Sequence, residues 1–307
     1  MVHAAFMYLL LACSFFGVVL SQDQQIQCAK GLQVFISRGT NETLGPGVSG
    51  ALGEILRERI PDTQVHPVPY PASFLNPDYF TSVLNGTLLL REMITRYTKV
   101  CPESKIALLG YSQGAQITSN NLCGTPPVWL AGNPSLAPLP KSIIENHSNM
   151  NPVLQPRSET KLTVLLVVAV VLFGDPTFRS DDSFARGTAQ GSGMFFRGNH
   201  KACNAVGDHI ASYCDAGDPI CDVESEVTET NMHVTYLERY LEESAEWVVE
   251  RFSKGSSESP SPGGNNATTS AVVVPSTLPT EQSNAAREVT SLLTVYIPAL
   301  MVAVVMS

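Results

Sequence analysis

The sequence predicts an α/β fold, in which helices cover both faces of a central, mainly parallel sheet. Strand-like segments alternate with helix-like segments along residues 22–252, an order typical of βαβ units. The strand-like segments are continuously apolar, as expected of strands that are buried on both faces. The chain is 44% hydrophobic and 15% charged, a composition that excludes a disordered protein.

Eight segments make up this alternation. Apolar residues dominate the strand-like ones, which are residues 32–36, 65–68, 105–109 and 164–173. Apolar residues recur at helical spacing in the others, which are residues 48–60, 80–97, 113–122 and 236–252.

The apolar run at 162–173 is unusual, because its 12 residues are too few to span a bilayer and many for a strand. We expect only 168–173 to form the buried strand. The stretch at 134–165 is then either an insertion or the product of an incorrectly predicted splice site.

Both ends of the chain have the features of processing signals. Residues 4–20 are almost wholly apolar and precede Ser21 and a polar stretch, which predicts a secretory signal peptide over 1–21. The alternative is an N-terminal membrane anchor. Near the other end, small residues at 283–286 precede an apolar segment with no Lys or Arg after Leu292. This order predicts a GPI-attachment signal over 285–307, with Asn284 or a neighbour as the attachment residue, and a plain tail anchor is the alternative.

The segment at 253–284 separates this tail from the folded part. Ser, Thr, Pro and Gly supply 19 of its 32 residues, so it cannot bury a core and is typical of an O-glycosylated linker. We therefore expect a secreted protein that is held at the cell surface by a GPI-type anchor. A net charge of −9 disfavours a nucleic-acid partner.

Cysteine usage agrees with secretion. Removal of the signal peptide leaves an even number of cysteines, which predicts disulfides: Cys28, Cys101, Cys123, Cys203, Cys214 and Cys221. The pair at 214 and 221 is the easiest to bridge, and a zinc site is disfavoured because no C-x-x-C or H-x-x-x-H spacing occurs. Four glycosylation sequons fit the same compartment: Asn41, Asn85, Asn146 and Asn266.

The chemistry is centred on Gly110-Tyr111-Ser112-Gln113-Gly114, a G-x-S-x-G motif. An apolar run precedes it and a helix-like segment follows, which is the context of a nucleophile elbow. Glycines flank the serine because side chains there would clash in the tight turn. We therefore expect Ser112 to be a nucleophile at the carboxyl edge of the sheet.

A serine nucleophile needs a general base, normally His, and an acidic residue that orients it. The candidate bases downstream of Ser112 are His200, His209 and His233. The candidate acids are Asp175, Asp208, Asp215, Asp218 and Asp222. Asp218 is favoured because a small disulfide loop would hold it rigidly, and His233 because it lies in a polar loop before the last helix. The residues alone leave the other candidates open.

Four motifs resemble the cutinase family of secreted serine esterases and occur in that family's order across residues 28–252. They are the elbow with Ala115, the C-x-x-x-D-x-x-C loop at 214–221, the H-V-T-Y segment from His233, and R-G-T-N-E from Arg38. The resemblance implies a compact α/β-hydrolase three-layer sandwich that is stapled by disulfides. It also implies a triad of Ser112, Asp218 and His233, an oxyanion hole from Thr40 and Gln113, and no metal or organic cofactor.

The resemblance further implies the pairings Cys28–Cys101 and Cys214–Cys221. Cys123 and Cys203 resemble an extra pair in the acetylxylan-esterase branch, whose elbow often has the sequence S-Q-G-A-Q found here. We accordingly expect a monomeric esterase whose substrate is an acetylated polysaccharide or a plant polyester. The alternative is a wall or adhesion protein that retained the fold without activity. Asn41 is expected to be unmodified, because a glycan beside Thr40 would obstruct the cleft.

Overall fold

The computed structural model of the chain describes residues 25–125, 136–147, 163–195, 197, 200–226 and 231–257. The predicted signal peptide, the linker beyond residue 257 and the GPI-attachment signal lie outside the described residues, as does Asn266. Within the described ranges, no helix is both long enough and apolar enough to cross a bilayer.

A parallel sheet forms the centre of the molecule. In the part of the chain that the structure describes, six strands pair in the order β2-β1-β3-β6-β8-β7, and every pairing is parallel. Their bounds are Leu32–Ser37 for β1, Gln64–Pro67 for β2, Lys105–Tyr111 for β3, Val167–Phe173 for β6, Ala185–Arg186 for β7 and Ile210–Tyr213 for β8. Because the strands are parallel, their carboxyl ends and the loops that follow them gather at one edge.

Helices cover both faces of this sheet. Their bounds are Gly50–Arg59 for α1, Tyr79–Val100 for α2, Gln113–Cys123 for α3, Lys141–Ile144 for α4, Lys201–Asn204 for α5 and Tyr236–Ser257 for α6. Successive strand residues point to opposite faces, so Leu108 packs in the core under α2 and α3 while Leu109 packs in the core under α1 and α6. The predicted three-layer α/β sandwich is confirmed.

The apolar run at 162–173 divides into two strands. Thr163–Leu165 (β5) pairs antiparallel with Glu145–His147 (β4) outside the main sheet, and β6 follows after Leu166. Ile106 pairs with Val167 and Ala107 with Ala169, so the sheet has a bulge at Val168. As expected, only the end of the run is a core strand.

Two further differences from the sequence-based expectation concern short strands and the end of the last helix. The short strands β7 and β8 were not predicted, because two to four residues carry too little periodicity to be recognised. Helix α6 extends to Ser257, five residues into the segment expected to be linker. Lys254, within these five residues, forms an ion pair with Glu250, one helical turn earlier in α6.

In the described residues, two disulfides join elements that are distant in sequence, and a third closes a short loop. They pair Cys28 with Cys101, Cys123 with Cys203, and Cys214 with Cys221. The first ties the segment before β1 to the residue after α2, and the second ties the end of α3 to α5. The third closes the loop that follows β8. These are the pairings that the family resemblance implies.

Candidate active site

Ser112 lies in the sharp turn between β3 and α3. Its backbone has φ 55° and ψ −120°, a conformation that is strained for a residue with a side chain and is typical of functional turns. A Cβ on Gly114 would lie 2.0 Å from the carbonyl oxygen of Ser37, and one on Gly110 would lie 2.6 Å from that of Gly114. The two glycines are therefore required for the close approach of backbone segments that makes the turn.

His233 brings its imidazole to the Ser112 hydroxyl. It lies in a short 3₁₀ turn, Met232–Val234, and its Nε2 is 2.9 Å from the Oγ of Ser112. The ring of Tyr111 stacks on the imidazole at 5.3 Å between centroids, and the Tyr111 hydroxyl donates to the backbone carbonyl of His233 at 3.1 Å. Contacts to both its ring and its backbone therefore fix this histidine.

Asp218 completes a chain of hydrogen bonds. Its Oδ2 lies 2.8 Å from Nδ1 of His233, and its Oδ1 accepts the backbone N–H of Ile220 at 2.7 Å. The Tyr236 hydroxyl also donates to Oδ2, at 2.6 Å. Since Asp218 is fully buried, each carboxylate oxygen depends on these partners.

The protonation pattern follows from the partners. An ionised carboxylate can only accept, so the proton on that side of the ring belongs to Nδ1 of His233. Nε2 is then free to accept from Ser112. Burial opposes ionisation of Asp218, but the hydrogen bond and electrostatic interaction with His233, together with the hydrogen bond from Tyr236, outweigh it and hold the pKa of this carboxyl below its usual value.

Two neighbouring acids, one inside the disulfide loop and one directly after it, brace this loop. Asp215 accepts the Tyr240 hydroxyl at 2.7 Å and pairs with Arg239. Asp222 accepts the backbone N–H of Gly191 at 3.0 Å. Their carboxylates have these other partners, and Asp218 is the acid that is hydrogen-bonded to His233.

Gln113 and Thr40 flank the elbow. Gln113 is the first residue of α3, so its N–H has no carbonyl partner within the helix. Its side chain accepts the Ser82 hydroxyl at 2.9 Å and donates to the Ser73 carbonyl at 3.1 Å, which fixes the start of the helix. Thr40 is partly exposed in the loop after β1, the strand that pairs with β3 beside the elbow.

Arg38 and Glu42 hold the Thr40 loop in place. The buried Arg38 guanidinium donates to the carbonyls of Tyr70, at 2.7 Å, and of Glu42, at 2.9 Å. The Glu42 carboxylate accepts the backbone N–H groups of Gly39 and Val48. These contacts cross the loop on both sides of Thr40.

The remaining candidates from the sequence lie elsewhere. His200 pairs with Asp182 at 2.8 Å, and His209 precedes β8 at the opposite edge of the sheet, as does Asp208. Asp175 follows β6, but its carboxylate accepts the Thr177 hydroxyl and backbone N–H, both at 2.8 Å. The structure thus brings Ser112, His233 and Asp218 together and leaves the other candidates apart.

Sequence reasoning assigned no role to Tyr111, Tyr236 or Arg38. Tyr111 lies within the elbow motif and Tyr236 within the H-V-T-Y segment, so both belong to motifs that the sequence shows. The Tyr111 contact joins residues 122 positions apart and the Tyr236 contact with Asp218 joins residues 18 positions apart, so only the folded chain reveals them.

Comparison with known proteins gives a consistent result. A family model described as Cutinase matches residues 28–252. The chain is 30% identical over 249 residues to an acetylxylan esterase of Hypocrea jecorina, a match that covers 80% of this chain and 74% of the relative. It is 28% identical over 200 residues to Cutinase 11 of Verticillium dahliae, covering 64% of this chain and 61% of the relative.

Among solved structures, the chain is similar to the catalytic core domain of acetyl xylan esterase from Trichoderma reesei. The TM-score is 0.60 at 28% sequence identity, and the match covers 73% of this chain and 98% of that one.

Proposed function

This chain belongs to the cutinase family of carboxylic ester hydrolases, and we propose that it is a secreted serine esterase with Ser112 as its nucleophile. The observation that carries the proposal is one continuous chain of hydrogen bonds. It runs from the Ser112 hydroxyl to Nε2 of His233 at 2.9 Å and from Nδ1 to Asp218 at 2.8 Å. An inactive relative that kept only the fold would have no need of this series of hydrogen bonds.

The first half of the reaction forms an acyl-enzyme. His233 takes the proton of Ser112 as the Oγ attacks the ester carbonyl, and Asp218 stabilises the imidazolium that results. The N–H of Gln113, together with the N–H and hydroxyl of Thr40, holds the oxyanion. The C–O bond of the ester then breaks, and the alcohol leaves with the proton from Nε2.

The second half releases the acid. Water attacks the acyl carbonyl while His233 takes its proton, the same donors hold the second oxyanion, and Ser112 recovers its proton. The strained turn contributes by presenting the hydroxyl in one fixed direction, so that attack needs little reorganisation.

We propose acetylated polysaccharide as the leading substrate class. The bridge between Cys123 and Cys203 resembles the pair that marks the acetylxylan-esterase branch. The Hypocrea jecorina relative and the Trichoderma reesei structure both have acetylxylan esterase in their names. Short acyl groups are then the natural substrates.

One observation favours plant polyester as a second candidate. Of the nine large apolar side chains that are exposed in the described residues, all but Leu88 and Val100 lie in loops that follow the carboxyl ends of strands. These seven are Leu44, Val48, Phe74, Leu75, Met194, Val223 and Val234. Exposed apolar side chains in the loops at the edge of the sheet that carries Ser112 suit an aliphatic surface better than a hydrated polysaccharide.

One assay series separates the two candidates. Hydrolysis of p-nitrophenyl esters from acetate to decanoate is measured beside acetate release from acetylxylan and acid release from polycaprolactone particles. Preference for acetate and for acetylxylan supports the leading candidate, and preference for long chains and the polyester supports the second. Absence of hydrolysis on all substrates would contradict the proposed function, and full turnover by Ser112→Ala would contradict the nucleophile.

The proposed location rests on the sequence. The apolar segment at 4–20, the Ser/Thr/Pro-rich linker and the apolar segment at 289–306 support a secreted protein with a GPI-type anchor. Treatment of intact cells with phosphatidylinositol-specific phospholipase C tests it. Release of the protein supports the anchor, and retention on the cells contradicts it.

A further inference from the structure

Tyr236 makes the shortest contact to the acid of the triad. Its hydroxyl donates to Oδ2 of Asp218 at 2.6 Å, the same oxygen that lies 2.8 Å from Nδ1 of His233. Tyr236 is fully buried and is the first residue of α6, three residues after His233. One short segment of chain thus carries both groups that share this oxygen.

The direction of the hydroxyl proton is fixed from the other side. The Tyr236 oxygen accepts the backbone N–H of Asp215 at 3.1 Å. The ionised carboxylate can only accept and is the stronger and nearer acceptor, so the phenol's own proton is directed at Asp218 and not at the disulfide sulfur of Cys221, which lies 3.1 Å from the hydroxyl oxygen. Burial, and next the charge of Asp218, raise the pKa of Tyr236 far above its ordinary value, so the hydroxyl keeps its proton at neutral pH.

The Tyr236 ring is held as firmly as its hydroxyl. It lies edge-on to His233, with 6.3 Å between centroids, and packs against Phe173 of β6 at 6.2 Å. The guanidinium carbon of Arg239 lies 5.3 Å from the ring centroid on another side. The hydroxyl therefore cannot leave Asp218 without disturbing the core beneath the sheet edge.

We propose that Tyr236 is a positioning residue of the esterase: its hydroxyl holds the Asp218 carboxylate in line with His233 and takes up part of the negative charge on the shared oxygen. This proposal rests on the proposed function for the roles of Asp218 and His233. Because Oδ2 accepts from two donors, its attraction for the Nδ1 proton of His233 is weaker. The two hydrogen bonds also restrict rotation of the Asp218 carboxylate.

The proposal predicts a change in pH dependence with a definite sign. Without the tyrosine hydroxyl, more negative charge remains on Oδ2, which favours the protonated form of the site, so the acid limb of the activity profile moves to higher pH. The other titratable or charged groups that face this pair come from the loop after β1, from β3, from the disulfide loop and from α6. They are Glu42, Tyr111, Asp215, Arg239 and Tyr240. None of them changes in the variants below.

The central experiment compares Tyr236→Phe with Tyr213→Phe in the full chain. Tyr213 is a matched control, because it is equally buried and packs on Phe173 but its hydroxyl donates to Glu243 instead of the triad. For Tyr236→Phe we expect kcat on p-nitrophenyl acetate to fall about 10-fold with little change in KM. The acid limb of its pH profile moves to higher pH. Tyr213→Phe keeps the wild-type limb.

A second variant tests a shift of the acid limb in the opposite direction. Because it keeps the tyrosine ring, it can also be used if Tyr236→Phe does not fold. Site-specific 3-fluorotyrosine at 236 makes the hydroxyl a stronger donor, so the acid limb moves to lower pH. A shift that follows donor strength in both directions supports the proposal, because loss of packing alone would not produce it.

A readout without turnover separates this proposal from the proposed function. Titration of the His233 imidazole by NMR reports the same shift whether or not an ester is hydrolysed. If Tyr236→Phe and the fluorotyrosine variant both titrate His233 like wild type, the proposal is overturned, even if Tyr236→Phe is less stable. If the wild type hydrolyses no ester but the NMR titrations move as described, the proposed function fails and the positioning role of Tyr236 stands.

Discussion

Gly174 lies directly beneath the imidazole of His233. A Cβ added to this glycine would come within 2.7 Å of Cε1 and 2.9 Å of Nδ1 of that ring. Gly174 follows the last residue of β6, has φ +59°, and donates its N–H to the carbonyl of Tyr213 at 2.9 Å. The backbone is therefore held against the ring, and the end of a central strand sets how closely His233 can approach Ser112.

Replacement of Gly174 by Ala should displace the imidazole. The added methyl group has no space, so we expect kcat to fall at least about 100-fold, because small misplacements of a catalytic group have effects of that size. Gly45→Ala is the control, since Gly45 also has a positive φ but has nothing within 4 Å of the added Cβ. Steady-state kinetics of both variants, with thermal melting as a check on folding, measure the difference. Equal losses in the two variants would mean that backbone strain, and not the contact with His233, is the cause.

Asp218→Asn should abolish most activity without unfolding the protein. The amide leaves the shape of the site intact but offers a donor where His233 needs an acceptor, which favours the wrong tautomer of the ring. A loss of about 10³ to 10⁴ in kcat is expected from the behaviour of other Ser-His-Asp enzymes. Asp208→Asn, an exposed change before β8, should retain full activity. Near-normal kcat in Asp218→Asn would refute the assignment of this acid.

The pH dependence of stability should contain a contribution from Asp218. The pKa of this carboxyl is lower in the folded protein than in the unfolded chain, so its ionised form stabilises the fold above the unfolded pKa of about 3.9. That contribution is lost as the pH falls through the folded pKa. Urea unfolding at pH 7, 5 and 3 should therefore show a gap in free energy between wild type and Asp218→Asn that narrows toward pH 3. A gap of constant size would contradict the hydrogen-bonded, ionised state of Asp218.

Thr40→Val should weaken the oxyanion hole selectively. The isosteric side chain removes one hydroxyl donor and leaves the backbone N–H, so we expect kcat to fall about 10-fold while KM stays close to wild type. Thr43→Val, three residues along the same loop and exposed, is the control. That change also removes the Asn41 sequon, which we expect to carry no glycan. A rise in KM with unchanged kcat for Thr40→Val would show that the hydroxyl binds substrate in the ground state instead.

Much of the fold could be predicted because its signals are local. The strands β1, β3 and β6 are short apolar runs, and the helices between them have apolar residues at helical spacing. The elbow could also be predicted, since Gly110, Ser112 and Gly114 lie within five residues of each other and each is required by the turn itself.

The rest of the site depends on contacts between distant segments. Spacing alone left five aspartates and three histidines open, and only the folded chain shows that Asp215 and Asp222 brace the loop while Asp218 reaches His233. The same holds for Gly174. A side chain at this position would collide with His233, which lies 59 residues further along the chain. No local pattern encodes such a requirement.

The most direct test of the central claim is to identify the residue that reacts with an ester-like trap. The full chain is incubated with a p-nitrophenyl alkylphosphonate, and the modified peptide is located by mass spectrometry while residual esterase activity is followed. We predict one phosphonyl group per chain, attached to Ser112, in proportion to the activity lost, and no label on Ser112→Ala. Loss of activity with Ser112 unmodified, or a stoichiometric label on another residue, would contradict the account.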